Sequence, residues 1–328
     1  MIEVKNLSKF FGSTPAISDV TFSVREGEIL GFLGPNGAGK TTTMRILSGY
    51  IPASAGTASI GEYEVHKQSL AVRKRIGYLP ERPPLYLDMT VKGFLGFVTQ
   101  LKGVPRRDRA YLVNTTIERC FLEEKRHTLI RKLSKGYRQR VGIAQAIVHD
   151  PPVIILDEPT IGLDPRQMIE VRNLIKSLAG QHTIILSTHL LSEVSMISDR
   201  VTIISEGKVV TTNSPDNLMT ELAGGGGYTL NVGGDIDVVK STLNTLPEIS
   251  SVTVSPLENS DRCQLKITCL PNTEPGDKIA TFLVNSGLHL YEMQRDKPTL
   301  EDVFLELTNQ DKETNESSAG LFHSRGKI

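Results

Sequence analysis

Continuous apolar runs, rather than alternating ones, mark the first two thirds of the chain. Val153-Ile154-Ile155-Leu156 is the clearest, and Ile29-Leu30-Gly31-Phe32-Leu33 is its counterpart near the start. A strand that is apolar at every position is covered on both faces, so these runs predict a mostly parallel sheet flanked by helices. Further short strands are expected at 2–7, 20–24, 76–79, 183–187 and 200–204. Between 90 and 149 the period becomes helical, with Phe94, Phe97, Val98 and Leu101 on one face. A second helix is expected over 136–148, carrying Val141, Ala144, Gln145 and Val148 at helical spacing. The pattern then breaks at Gly224 to Gly227. Each glycine loses the most backbone entropy on ordering, so 223–227 reads as a linker. Beyond it, period-2 alternation predicts strands at 228–232, 252–256 and 264–268, with amphipathic helices at 238–246, 279–286 and 299–307. These elements make a small α+β domain over 228–308. The polar stretch 309–328 is expected to be disordered.

Composition narrows the classes. A chain of 328 residues accommodates one large domain, here 1–222, and a smaller one. Lys+Arg and Asp+Glu both number 37, so no net field recruits nucleic acid, and none is expected as a partner. The 3 cysteines, Cys120, Cys263 and Cys269, are too few for a disulfide framework and match no zinc spacing. Met1-Ile2-Glu3-Val4-Lys5 does not resemble a secretory leader. No apolar run approaches the roughly 20 residues needed to cross a bilayer, so any membrane connection is expected through a partner.

Chemistry enters at Gly34-Pro35-Asn36-Gly37-Ala38-Gly39-Lys40-Thr41, a G-x-x-x-x-G-K-T string between a strand-like run at 28–33 and a helix-like stretch from Thr42. Glycines in such a loop let backbone N–H groups turn inward around anionic oxygens, and the helix start points its free N–H groups the same way. Lys40 would reach the β- and γ-phosphates, and the Thr41 hydroxyl would take a position on Mg²⁺. The string implies a bound nucleoside triphosphate.

A phosphate loop alone does not separate kinases, GTPases and transport ATPases. The order of the remaining motifs does. Leu133-Ser134-Lys135-Gly136-Tyr137-Arg138-Gln139-Arg140, then Leu156-Asp157-Glu158, Gly162-Leu163-Asp164 and Ser187-Thr188-His189 resemble the signature, Walker B strand, D-loop and switch histidine of the ATP-binding-cassette (ABC) ATPases. The resemblance covers roughly 2–222. It implies an α/β P-loop cassette with a mostly parallel core sheet, an antiparallel β subdomain and a helical subdomain at about 90–149, followed here by the small α+β domain. It also implies that Asp157 holds Mg²⁺ with Thr41, that Glu158 is the general base for the attacking water, and that His189 bridges Glu158 and the γ-phosphate.

Other implied residues surround the nucleotide. Phe11 stands where the family stacks an aromatic on adenine, with packing under the first strand as the alternative. Ser134, Gly136 and Gln139 would close on the ATP held by a second cassette, and Asp164 would lie at that junction. Glu81, in Ile76-Gly77-Tyr78-Leu79-Pro80-Glu81, replaces the family's usual glutamine. It would ligate Mg²⁺ through oxygen or pair with an arginine such as Arg82. The segment 82–91 and the region after the glycines, ending at Thr299-Leu300-Glu301-Asp302-Val303-Phe304, are similar to bacterial gliding-motility and multidrug or polysaccharide export ATPases. The resemblance thus implies an ATPase subunit, peripheral on the cytoplasmic face of the cell membrane, that pairs head to tail as a homodimer or with another cassette. It would drive a separate integral permease, with export the expected direction. The alternative is a soluble ABC ATPase acting on ribosomes or nucleic acid.

Overall fold

Among the described residues three sheets organise the chain, and their strand directions decide where chemistry can gather. The structure, a computed structural model, describes residues 1–222, 227–233, 243, 246–257, 262–270 and 273–296. The chain opens with β1 (Ile2–Phe11) and β2 (Thr14–Val24), an antiparallel pair. Then come β3 (Ile29–Leu33) and helix α1 (Lys40–Leu47). Strands β4 (Ala55–Ile60) and β5 (Tyr63–Glu64) complete a four-stranded sheet of order β2-β1-β4-β5. After α2 (Ser69–Arg75) the chain enters β6 (Ile76–Leu79).

The helical region follows as α3 (Val91–Leu101), α4 (Arg106–Arg119) and α5 (Lys135–Ile147). Thr90 caps α3, its hydroxyl accepting from the Gly93 N–H at 3.1 Å. The buried face of α3 is Val91, Phe94, Leu95, Val98 and Thr99. Leu101, expected on that face, is 69% exposed because the helix ends there and the chain turns away.

The remaining strands of the large unit are β7 (Val153–Asp157), β8 (Thr183–Thr188), β9 (Arg200–Ser205) and β10 (Lys208–Asn213). They alternate with α6 (Pro165–Ser177) and α7 (Leu191–Ile197), and α8 (Pro215–Leu222) follows. The central sheet has the order β10-β9-β3-β8-β7-β6, parallel except for the β9–β10 pair. Every residue of β3, β7 and β8 is buried, as the continuous apolar runs require. Full burial of each Ile or Leu side chain there contributes about 1.5–3 kcal/mol.

The chain divides into two compact units, Met1–Pro215 and Asp216–Ile328. In the second unit, α8 from Asp216 onward, β11 (Gly227–Gly233), β12 (Ile249–Pro256), β13 (Arg262–Cys269), α9 (Gly276–Asn285) and β14 (His289–Asp296) are described. Its sheet has the order β12-β13-β11-β14 and is antiparallel throughout. Tyr228, Leu230 and Val232 are buried, while Thr229 and Asn231 between them are partly exposed. That is a one-faced sheet, packed with Leu265, Ile267, Ile279 and Leu283 into a separate core. Gly227, expected in the linker, opens β11, where its backbone pairs with Thr268 and Asp296. The rest of the glycine linker, the helix expected at 238–246 (apart from Leu243 and Leu246), the helix at 299–307 and the tail 309–328 lie outside the described residues.

Candidate active site

Four neighbouring parallel strands deliver the expected residues to one edge of the central sheet. β3 runs into the glycine loop, β8 into His189, β7 into Asp157 and Glu158, and β6 toward Glu81. Ligand sites in open α/β sheets form at these carboxyl ends. An open cleft of about 400 Å³ lies there, lined by Ala16, Asn36, Gly37, Gly39 to Thr42, Glu81 and Glu158.

The loop needs its glycines. Gly39 is the N-cap of α1 with φ +104°, and a Cβ there would lie 2.8 Å from the Ala16 carbonyl oxygen. Lys40 is only 6% exposed. Its ammonium donates to the Gly34 and Pro35 carbonyls at 2.7 and 3.2 Å and pairs with Glu158 Oε1 at 3.4 Å. The cation is therefore fixed at the floor of the loop, beside the acidic pair.

Asp157 is fully buried. One carboxylate oxygen accepts from Ser187 Oγ at 2.6 Å and Thr41 Oγ1 at 3.2 Å. The other, Oδ2, is buried with no partner among the described residues. Burial, with smaller contributions from Glu158 and Glu81, holds the carboxyl above its usual range despite the two hydroxyl donors. A hard divalent cation would satisfy both the orphaned oxygen and the excess negative charge. Among the described residues no cluster of three or more His, Cys, Asp or Glu could hold a metal by itself. The Asp157 carboxylate with the Thr41 hydroxyl beside it fits Mg²⁺, which takes one or two carboxylates and keeps its waters.

Glu158 has φ +50°, an unusual backbone for a non-glycine residue. Its N–H is held by the Ser187 backbone oxygen and side-chain oxygen, both at 3.1 Å. The turn aims the carboxylate between Lys40 and His189, whose Nδ1 lies 2.9 Å from Glu158 Oε2. Glu81 lines the same cleft, and no ion pair joins it to Arg82 among the described residues.

The other expected residues stand apart from this cleft. Ser134 is the exposed N-cap of α5, accepting from the Tyr137 N–H at 3.4 Å. Gly136 is buried against Gln167, and Gln139 donates to the Pro159 carbonyl at 2.8 Å. Asp164 caps α6, accepting from the Gln167 N–H at 2.9 Å. Phe11, 54% exposed at the end of β1, has the Lys9 ammonium 5.3 Å from its ring centre. Sequence reasoning missed the work of Ser187, which ties the Asp157 side chain to the Glu158 backbone. The signal was its place in the Ser-Thr-His string. It also missed Glu193, 2% exposed and bonded to Thr160 and Thr188, for which no sequence signal existed.

A glycine loop with its buried lysine, facing an Asp-Glu pair and a histidine across adjacent strand ends, defines a nucleotide-hydrolysing cassette. The comparisons with known proteins agree. The ABC transporter family matches residues 17–161. The ABC transporter ATP-binding protein YhcH of Bacillus subtilis is 32% identical over 316 residues, covering 95% of this chain and 97% of the relative. The linearmycin resistance ATP-binding protein LnrL of the same organism is 30% identical over 94% of this chain and 99% of its own length. Among solved structures, an ATP-binding subunit of an ABC transporter superposes with a TM-score of 0.62 at 29% identity, over 67% of this chain and 92% of its own. The chain belongs to the ATP-binding proteins of ABC transporters, and it is an ATPase.

Proposed function

We propose that this chain is the motor subunit of an exporter, working as a head-to-tail pair of cassettes on two ATP molecules and driving a separate permease at the cytoplasmic membrane face. One observation carries the paired reading. The cleft is lined by phosphate-loop residues, Glu81 and Glu158, yet Ser134, Gly136, Gln139 and Asp164 do not line it. The start of α5 is nevertheless an anion site in waiting: a capping hydroxyl and free amides at the positive end of a helix of 13 residues. Facing it against a second copy's phosphate loop completes both sites.

Within each site, Lys40 and the loop amides would bind the β- and γ-phosphates. Thr41 and Asp157, with Glu81 close by, would hold Mg²⁺, which neutralises phosphate charge. Glu158 would take the proton of the attacking water, and His189 would keep its carboxylate aligned. Because the γ-phosphate bridges two cassettes only while intact, its cleavage favours reopening.

The permease reading is supported by a second depression of about 630 Å³, lined by Arg45, Tyr50, Tyr78, Arg82, Pro84 and Gln145. It joins α5 to the segment around Glu81, and a partner helix seated there would sense the cleft directly. Among the described residues no helix is long and apolar enough to cross a membrane. The resistance named for the LnrL relative supports export as the direction. The test is purification of the tagged chain from detergent-solubilised membranes. An integral protein recovered in fixed stoichiometry supports the reading, whereas recovery with ribosomes alone contradicts it.

A further inference from the structure

Glu193 is a buried carboxylate that does not cap its own helix. It is the third residue of α7, the position from which a glutamate reaches back to the N-cap amide in a capping box. Here the Leu190 N–H donates instead to Thr188 Oγ1, at 3.0 Å. Glu193 Oε2 accepts from Thr160 Oγ1 at 2.6 Å and from Thr188 Oγ1 at 3.3 Å. Thr160 lies two residues after Glu158, and Thr188 immediately precedes His189. One carboxylate oxygen thus spans the two turns that carry the Glu158–His189 pair.

Both hydroxyl donors are buried, at 6% and 0% exposure, and Glu193 Oε1 is buried with no partner among the described residues. Burying a carboxylate so sparingly paired is costly, and a purely packing role would be met by an aliphatic side chain. The Thr160 turn is itself continuous with the segment leading to Asp164, through Ile161 N–H to the Glu158 carbonyl at 3.2 Å and Leu163 N–H to the Thr160 carbonyl at 3.1 Å.

We propose that Glu193 is a positioning residue: it fixes the distance between Glu158 and His189 and ties that distance to the placement of the 160–164 turn. The inference rests on the reading of Glu158 and His189 as the groups that act on water.

The test uses the full-length chain. Glu193→Met, which keeps the length and removes the acceptor, should lower kcat about tenfold or more while KM for ATP stays within about twofold. Glu193→Gln keeps an acceptor oxygen and should recover turnover to within about threefold of the parent. Thr160→Val alone should lower kcat severalfold at unchanged KM, and should add little in the Glu193→Met background. Should Glu193→Met fold poorly, Thr160→Val decides the matter. The inference is overturned if Glu193→Met or Thr160→Val keeps kcat within about twofold, or if Gln is as deficient as Met with an equal fall in melting temperature. A dead Glu158→Gln beside an active Glu193→Met removes this inference alone. An undiminished Glu158→Gln removes the site reading beneath it.

Discussion

The two units use their strands to opposite effect. In the first, β3, β8, β7 and β6 lie side by side and run the same way, so four loops emerge at one edge. Residues as far apart in sequence as Lys40, Glu81, Glu158 and His189 are gathered there. In the second, neighbouring strands reverse direction, so the carboxyl ends of adjacent strands lie at opposite edges, and among the described residues no such gathering occurs. Its burial is equally good, with Leu230, Leu265 and Ile267 fully inside. The difference lies in strand direction, which turns a hydrophobic core into a platform for chemistry.

The comparison can be broken by separating its two halves. The largest expected effect is at the platform edge: Glu158→Gln should lower kcat about 10²–10⁴-fold while leaving ATP affinity little changed, as steady-state turnover and nucleotide titration would read. Next comes the core without chemistry. Leu265→Ala should destabilise the antiparallel sheet by about 2–5 kcal/mol in a denaturation curve, with turnover per folded molecule unchanged. A fall in kcat at full folding would show that the second unit contributes to the site.

A smaller effect tests the two ends of one strand. His149 bonds the Ile76 carbonyl at the start of β6, at 3.1 Å, remote from the cleft end of that strand. Burial, aided by nearby Lys102, lowers its pKa from 6.5 to about 4. The folded state therefore binds fewer protons than the unfolded one between these values, and stability falls as the pH drops through that window. The loss should be on the order of 3 kcal/mol and should flatten in His149→Gln, while kcat at pH 7.5 is kept. A variant whose acid profile matches the parent would reject this assignment.

Much of this was legible from sequence, and the exceptions have physical causes. Doubly buried strands announce themselves through unbroken apolar runs, so the run 153–156 falls inside β7. The phosphate loop was legible because its chemistry is local. Strand β4 was missed because Ala55-Gly56-Thr57-Ala58-Ser59-Ile60 has only two buried side chains and is held by backbone pairing to β1. Strand β14 was missed because an edge strand reading His289-Leu290-Tyr291-Glu292 buries too little to alternate. Helix α6, not among the expected elements, did carry a signal, Asp164 followed by Pro165 at its start. Glu193 was illegible for a different reason. Its partner Thr160 is 33 residues away, and nothing short of the fold brings them together.

The central claim is that each chain carries two half-sites which a second cassette completes. Sedimentation velocity on Glu158→Gln with and without ATP and Mg²⁺ tests it most directly. The account predicts a mass near the 36.0 kDa monomer without nucleotide, about twice that with it, and a return to monomer when Ser134→Arg is added although ATP stays bound. A nucleotide-loaded Glu158→Gln chain that remains monomeric, alone and with any companion cassette, would contradict it.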